Sequence, residues 1–278
     1  MSGLILLASY PKSGNTWFRA LLGSILDKGQ DIDINSIGVP HCADRASFDR
    51  VLGMNSSDLT AREVSRIRPQ VYEFAVRMGS GGDLSLKVHD AWLPFPGSVT
   101  PFPRALIKRV IYIMRDPRDV AVSYANHLGR PVESVISYMN LNNFTIGQDR
   151  TMLRPQLPQL ISTWSNHVRS WTNDNKLDVH VMKYEQMLSD PLREFRVSLD
   201  FLELRVTDSV LIKAIEATRF DKLRLQEEKN GFGERSPYSK SFFRRGVANG
   251  WQDTLTRMQT DRIVVDHSEV MRQFGYLE

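Results

Sequence analysis

Short, almost wholly apolar runs alternate along this chain with stretches whose apolar positions recur at helical spacing, and that alternation restricts the fold more than any other feature. Gly3 to Ser9, Leu84 to Val88, Val110 to Met114 and Val179 to Met182 read as strands covered on both faces. Thr16 to Leu26 carries Trp17, Ala20, Leu21, Ser24 and Ile25 on one helical face. Thr60 to Arg77, Pro117 to His127, Pro131 to Asn140, Leu157 to Thr172, Leu192 to Leu202, Asp208 to Thr218 and Thr256 to Phe274 continue the helical series. The expected class is α/β: a central parallel sheet flanked by helices, as a single domain over residues 1–278. Asn142 to Leu153 and Glu227 to Gly250 stand outside the pattern. The second is rich in Gly, Ser, Lys and Arg and is expected to be a mobile loop at about 227–250.

Composition narrows the classes further. At 278 residues, with 41% hydrophobic and 24% charged positions, the chain can bury one large core. The apolar start has no basic segment before it and reads as a strand rather than an export signal, and no run approaches the ~20 residues needed to span a bilayer. Cys42 is the only cysteine, which excludes an internal disulfide and a multi-cysteine zinc site and fits a reducing compartment, so a cytoplasmic protein without membrane attachment is expected. The net charge of +4 comes from dispersed Lys and Arg rather than a basic tract. A small polyanionic ligand accounts for it as well as nucleic acid would, and no nucleic-acid partner is expected. No residues have metal-ligand spacing.

Two places along the chain are suited to phosphate. Tyr10-Pro11-Lys12-Ser13-Gly14-Asn15-Thr16-Trp17 lies between the first strand and its helix, where a glycine-bearing loop exposes N–H groups and the helix dipole attracts an anion. Lys12 adds a cation, and Ser13, Asn15 and Thr16 add donors. The segment lacks the G-x-x-x-x-G-K-[ST] pattern, which counts against a kinase or ordinary ATPase; the plainer reading is a turn capped by Asn15 or Thr16. Arg115 to Ser123 likewise follows a strand and opens a helix: Arg115 can fork two bonds to a phosphate, and Ser123 lies two turns on. Asp116 and Asp119 are expected to cap or brace that helix start. Lys87 and His89 sit two apart at a strand end, where ligands of parallel sheets collect, and an imidazole there could take a proton near neutrality.

These strings resemble the PAPS-dependent sulfotransferases of the cytosolic type. Y-P-K-S-G-x-T-W matches their donor loop at every fixed position, R-(D/N)-P-x-D-x-x-x-S matches their 3′-phosphate element, and Lys87-x-His89 matches their catalytic pair. The resemblance implies the P-loop-kinase-like sulfotransferase fold, PAPS as donor and PAP as product, with no metal. It implies that Lys12 contacts the bridge between phosphate and sulfate while Ser13, Gly14, Asn15 and Thr16 hold the 5′-phosphate. Arg115 and Ser123 would hold the 3′-phosphate; Trp17, Tyr184, Thr218 and Phe220 would enclose adenine; and His89 would be the general base, assisted by Lys87. Phe243-Arg244-Arg245-Gly246 resembles a third grip on the 3′-phosphate, with Arg245 in place of lysine and Gly250-Trp251 set closer together than usual. The H-D-A run at His89 and the R-R-G form are similar to bacterial members. The C-terminal helix lacks the family's common dimer signature, so any homodimer is expected to use another surface. A P-loop kinase and a non-catalytic PAP sensor or basic nucleic-acid binder are the rivals. The expected acceptor is a hydroxyl compound, such as a phenol, sugar, alcohol or other natural product. It would be met by the loops His41 to Asp58, Trp92 to Phe102, Asn142 to Leu153 and Glu227 to Phe242, whose aromatics Trp92, Phe95 and Phe102 permit a phenolic or glycosidic acceptor without choosing one.

Overall fold

The computed structural model describes residues 2–79, 81–149 and 152–278. In chain order the main elements are β1 (Leu4–Ser9), α1 (Asn15–Leu26), α2 (Arg45–Leu52), α3 (Ala61–Met78), β2 (Leu84–Val88), β3 (Ile107–Met114), α4 (Pro117–Leu128), α5 (Val132–Met139), β4 (Thr145–Ile146) and β5 (Gln159–Leu160). They continue with α6 (Trp164–Thr172), β6 (Val179–Lys183), α7 (Tyr184–Ser189), α8 (Pro191–Phe201), α9 (Asp208–Ala217), α10 (Phe220–Asn230) and α11 (Arg257–Gln273). Four strands form one sheet in the order β2-β1-β3-β6, and β1 pairs with β2 in parallel from Leu4↔Leu84 to Ala8↔Val88. The α/β class with helices between parallel strands is therefore as expected. No helix of the described residues is long and apolar enough to cross a membrane.

The chain divides into two compact units. The first comprises Met1–Tyr10, Pro40–Tyr112 and Met139–Val181; the second comprises Pro11–Val39, Ile113–Tyr138 and Met182–Glu278. The first unit buries Leu4, Leu6, Leu7, Phe102, Tyr112, Trp164 and Trp171. In the second, Ala20, Ile34, Leu223, Phe232 and Phe243 form a buried cluster against which Trp17, Phe220 and Phe242 pack.

Local chemistry sets most helix starts. Thr60 with Glu63, and Thr256 with Gln259, form reciprocal capping boxes ahead of α3 and α11. The helix expected over Leu157 to Thr172 starts only at Trp164. Pro158 lacks an N–H, Gln159–Leu160 pairs antiparallel with Thr145–Ile146, and Thr163 caps the helix by accepting from the Asn166 N–H. Two segments expected to be loops are partly helical. Asp44 caps α2 within His41 to Asp58, and α10 runs to Asn230, past the expected loop start at Glu227. Arg150 and Thr151 of the Asn142 to Leu153 segment lie outside the described residues.

Candidate active site

In the second unit the sequence-selected phosphate loop is tightly folded between β1 and α1. Lys12 has φ 70 and Gly14 φ 104, both left-handed, the first uncommon for a side-chain-bearing residue. Gly14 has no substitute there, because a Cβ would meet the Tyr184 ring at 2.6 Å. No side chain caps the start of α1, and its first turn carries no acidic residue. Ser13 is buried and its Oγ has no hydrogen-bond partner among the described residues. An uncapped, positive helix end and an orphaned hydroxyl together fit an anion. The Lys12 ammonium stands 3.5 Å above the centre of the Phe242 ring.

Arg115 is brought to the same unit by the end of β3. Its guanidinium donates to the carbonyl of Val247 at 2.9 Å and to that of Lys12 at 3.4 Å, and lies 4.2 Å over the Tyr184 ring. The buried Nε of Arg115 has no partner among the described residues. Tyr184 therefore packs against both phosphate motifs at once. Arg244 is half-buried, and burial first, then the neighbouring charges of Arg245 and Arg115, push its guanidinium below the ordinary range. Three like charges collected this way favour a polyanion. Arg245 donates to the Gly250 carbonyl at 3.2 Å and to Asp253 at 3.1 Å. Gly246, at φ 64, lies against Phe220, where a Cβ would come within 2.3 Å of the ring. Ser123 is half-buried on α4.

The two aspartates of this motif divide the work differently from the sequence expectation. Asp116 caps α4 by accepting from the Arg118 N–H at 2.8 Å. Asp119 does not brace its own helix; it accepts from the N–H groups of Asn249 at 2.8 Å and Trp251 at 2.9 Å, and so holds the turn after Arg244-Arg245-Gly246. Burial pushes its carboxyl up, and Arg115 at 3.6 Å opposes that.

Around the expected adenine positions, Trp17 meets Phe195 edge to face at 5.4 Å and Tyr184 at 6.3 Å. Phe220 meets Phe243 at 6.3 Å. Thr218 is fully buried and its hydroxyl donates to the Ala214 carbonyl, which occupies it in the turn between α9 and α10. Sequence reasoning missed Glu234. Its carboxylate accepts from the buried Arg19 at 2.7 Å and from the Thr16 hydroxyl at 3.4 Å, tying residues 231–250 to the phosphate loop.

The first unit holds Lys87 and His89. Lys87 is buried at the end of β2, with its backbone bridged to Pro40–Cys42: its N–H donates to the Pro40 carbonyl and its carbonyl accepts from the Cys42 N–H, each at 2.9 Å. His89 is half-buried, and its Nδ1 is 2.9 Å from the Ser9 carbonyl oxygen. A carbonyl can only accept, so the neutral ring carries its proton on Nδ1 and its lone pair on Nε2. His41 packs edge to face on His89 at 5.5 Å.

Beneath this pair lies a polar network absent from the sequence reading. Arg68 of α3 forks onto Asp90 with bonds of 2.7 and 3.0 Å, both residues nearly inaccessible. Burial opposes the Arg68 charge, but the Asp90 carboxylate outweighs it and holds the guanidinium well above the ordinary range. From α6, Trp171 donates to the Asp90 carbonyl at 3.1 Å and His167 to the His89 carbonyl at 3.1 Å. The other His167 nitrogen accepts from Tyr112, and burial pushes this histidine down to about 4. Of the aromatics in the expected acceptor loops, Trp92 and Phe102 are buried. Trp92 lies tilted against Trp171 at 5.6 Å and bonds Asp174, and Phe102 stacks on Tyr72. Among the described residues no group of three or more His, Cys, Asp or Glu side chains could hold a metal ion.

A family model, the sulfotransferase domain, matches residues 3–275. The chain belongs to that family, and it is an enzyme of the sulfotransferase class. It is 27% identical to Sulfotransferase 1B1 of Canis lupus familiaris over 96% of this chain and 83% of the relative. It is similar in fold to mouse sulfotransferase SULT7A1 complexed with PAP, with a TM-score of 0.57 and 20% identity over 97% of this chain and 85% of that one. Retinol dehydratase in complex with androsterone and inactive cofactor PAP shares the fold at a TM-score of 0.61 and 16% identity, covering 96% and 80% of the two chains.

Proposed function

We propose that this enzyme transfers the sulfuryl group of PAPS to the hydroxyl of a small-molecule acceptor, a phenol, sugar, alcohol or other natural product, with His89 as general base. The family model runs through both units as one sequence, which supports reading residues 1–278 as one transferase. The donor's 5′-phosphate suits the loop of Ser13, Gly14, Asn15 and Thr16, and its 3′-phosphate suits Arg115, Ser123, Arg244, Arg245 and the Gly246 backbone; a 3′-phosphate is the part of PAP that AMP lacks. Trp17, Tyr184, Phe220 and Thr218 line or support the adenine side. The single cysteine supports a reducing compartment such as the cytoplasm.

In the transfer, the bond between sulfur and the 5′-phosphate oxygen breaks as one forms between sulfur and the acceptor oxygen. The acceptor proton passes to His89 Nε2, and the electron pair of the broken bond stays on the 5′-phosphate of PAP. Lys12 and Lys87 are the cations assigned to that growing charge, in the manner of positioned charges in phosphoryl transfer. The observation that carries the base assignment is the Nδ1 bond to the Ser9 carbonyl, since it leaves Nε2 as the basic nitrogen. His89→Ala is expected to keep PAP affinity and melting temperature near wild type and lower turnover by about 10²–10⁴. Full activity on an alcohol acceptor in a folded, PAP-binding variant would remove His89 from the role.

A further inference from the structure

We infer that Arg68 is a positioning residue for His89, acting through the Asp90 carboxylate; this rests on the reading of His89 as the base. His89 and Asp90 are the first two residues after β2, and five bonds tie them down. His89 Nδ1 is tied to the Ser9 carbonyl, the His89 carbonyl to His167, the Asp90 carbonyl to Trp171, and the Asp90 carboxylate to both terminal nitrogens of Arg68. The fork is the only charged member of the set, and burial makes it an expensive way to fill space: a pair of apolar side chains of similar size would pack there with no desolvation cost. What a planar fork supplies and an apolar pair does not is direction, since two parallel bonds fix both the distance and the rotation of the carboxylate.

Arg68 also reaches the strand end by a second route. Its Nε donates to the Tyr72 hydroxyl at 3.1 Å, that hydroxyl donates to the Cys42 carbonyl at 2.7 Å, and the Cys42 N–H donates to the Lys87 carbonyl at 2.9 Å. One side chain thus constrains the backbone at both members of the Lys87–His89 pair. Burial and hydrogen bonding of such supporting groups keep a reacting atom within the narrow range that catalysis tolerates, and a misplacement of about 1 Å can cost about 10²-fold.

The test uses Arg68→Met/Asp90→Asn, which removes both charges and so leaves no lone buried ion, and Arg68→Lys, which keeps the charge and loses the fork. The chain has only six histidines, so ¹⁵N NMR at pH 8, with His89→Ala for assignment, reads the His89 tautomer directly. Both variants are expected to bind PAP as wild type does, to show mixed His89 tautomers in place of a single Nδ1–H form, and to lose about 10- to 100-fold in turnover of a phenol with PAPS at little change in acceptor KM. Added to His89→Ala, either change is expected to cost far less than it does in wild type, because most of its effect runs through that ring and only the route to Lys87 remains. A folded variant with one tautomer and full turnover, or an equal loss in the His89→Ala background, overturns the proposal. If the double variant does not fold, Arg68→Lys decides the matter by the same readings. Full turnover by His89→Ala alone overturns the base assignment instead, and the tautomer result then still judges whether Arg68 orients the ring.

Discussion

The Arg115 side chain, proposed above for the 3′-phosphate, also braces the loop. It sits on Tyr184, bonds the carbonyls of Lys12 and Val247, and keeps a buried Nε unpartnered among the described residues. Arg115→Ala should therefore lower PAP affinity by about 10- to 100-fold, the range of a charge-assisted bond worth roughly 1.5–3 kcal/mol, while AMP affinity falls far less. Calorimetry reads both; an unchanged ratio of PAP to AMP affinity would show that Arg115 does not meet the 3′-phosphate. Glu185, beside Tyr184, illustrates the same economy of placement. Its carboxylate accepts from the Asp116 N–H at 3.0 Å and from the Tyr276 hydroxyl at 3.1 Å, anchoring the start of the Arg115 motif, and burial pushes it up.

At the scale of elements, the segment after α10 is fastened to that helix by a carboxylate. The buried Glu227 carboxylate accepts from the N–H groups of Phe242 at 2.7 Å and Phe243 at 2.9 Å, which sets Phe242 beneath the Lys12 ammonium and Phe243 in the cluster. Glu227→Ala leaves two N–H groups unsatisfied, at a cost of roughly 2 kcal/mol. Cleavage by a protease within residues 231–250 is then expected to accelerate, with PAP slowing it in wild type; cleavage at the wild-type rate would mean that the aromatic packing alone holds the segment. The four strands of the main sheet and most helices were legible because each is local, an apolar run or an apolar stripe at helical spacing. Helix α10 was not, since its polar sequence shows little amphipathic stripe. The partners of the site were hidden for a different reason. Glu234 lies 215 residues from Arg19, and Phe242 lies far along the chain from Lys12, so one sequence gives no sign that they meet. Arg68 alone left a trace, a charge on the stripe of Val64, Val71, Tyr72 and Val76 in α3 that a buried partner explains.

For the whole molecule, His167 ties stability to pH. The ring is fully buried and neutral, held at about 4, whereas an unfolded histidine titrates near 6.5. The unfolded chain thus binds the extra proton between these values, so this group's contribution is complete above about 6.5 and is lost as pH falls towards 4. The loss amounts to about 3 kcal/mol by pH 4. Denaturant midpoints measured from pH 7.5 to 4.5 should fall steeply in wild type and less steeply in His167→Gln; equal slopes would assign acid sensitivity to other groups.

Cys42 carries a consequence of a practical kind. It is the only thiol of the chain, is nearly inaccessible, and burial together with Asp90 pushes its deprotonation far up. An alkylating reagent can therefore reach it only when the packing around Arg68, Tyr72 and Asp90 opens, so the labelling rate is a clock for that opening and needs no engineered probe. Mass spectrometry of the intact protein should record one slow addition in native buffer and prompt, complete addition in denaturant. Rapid native labelling would mean that the floor beneath His89 opens far more often than its packing implies.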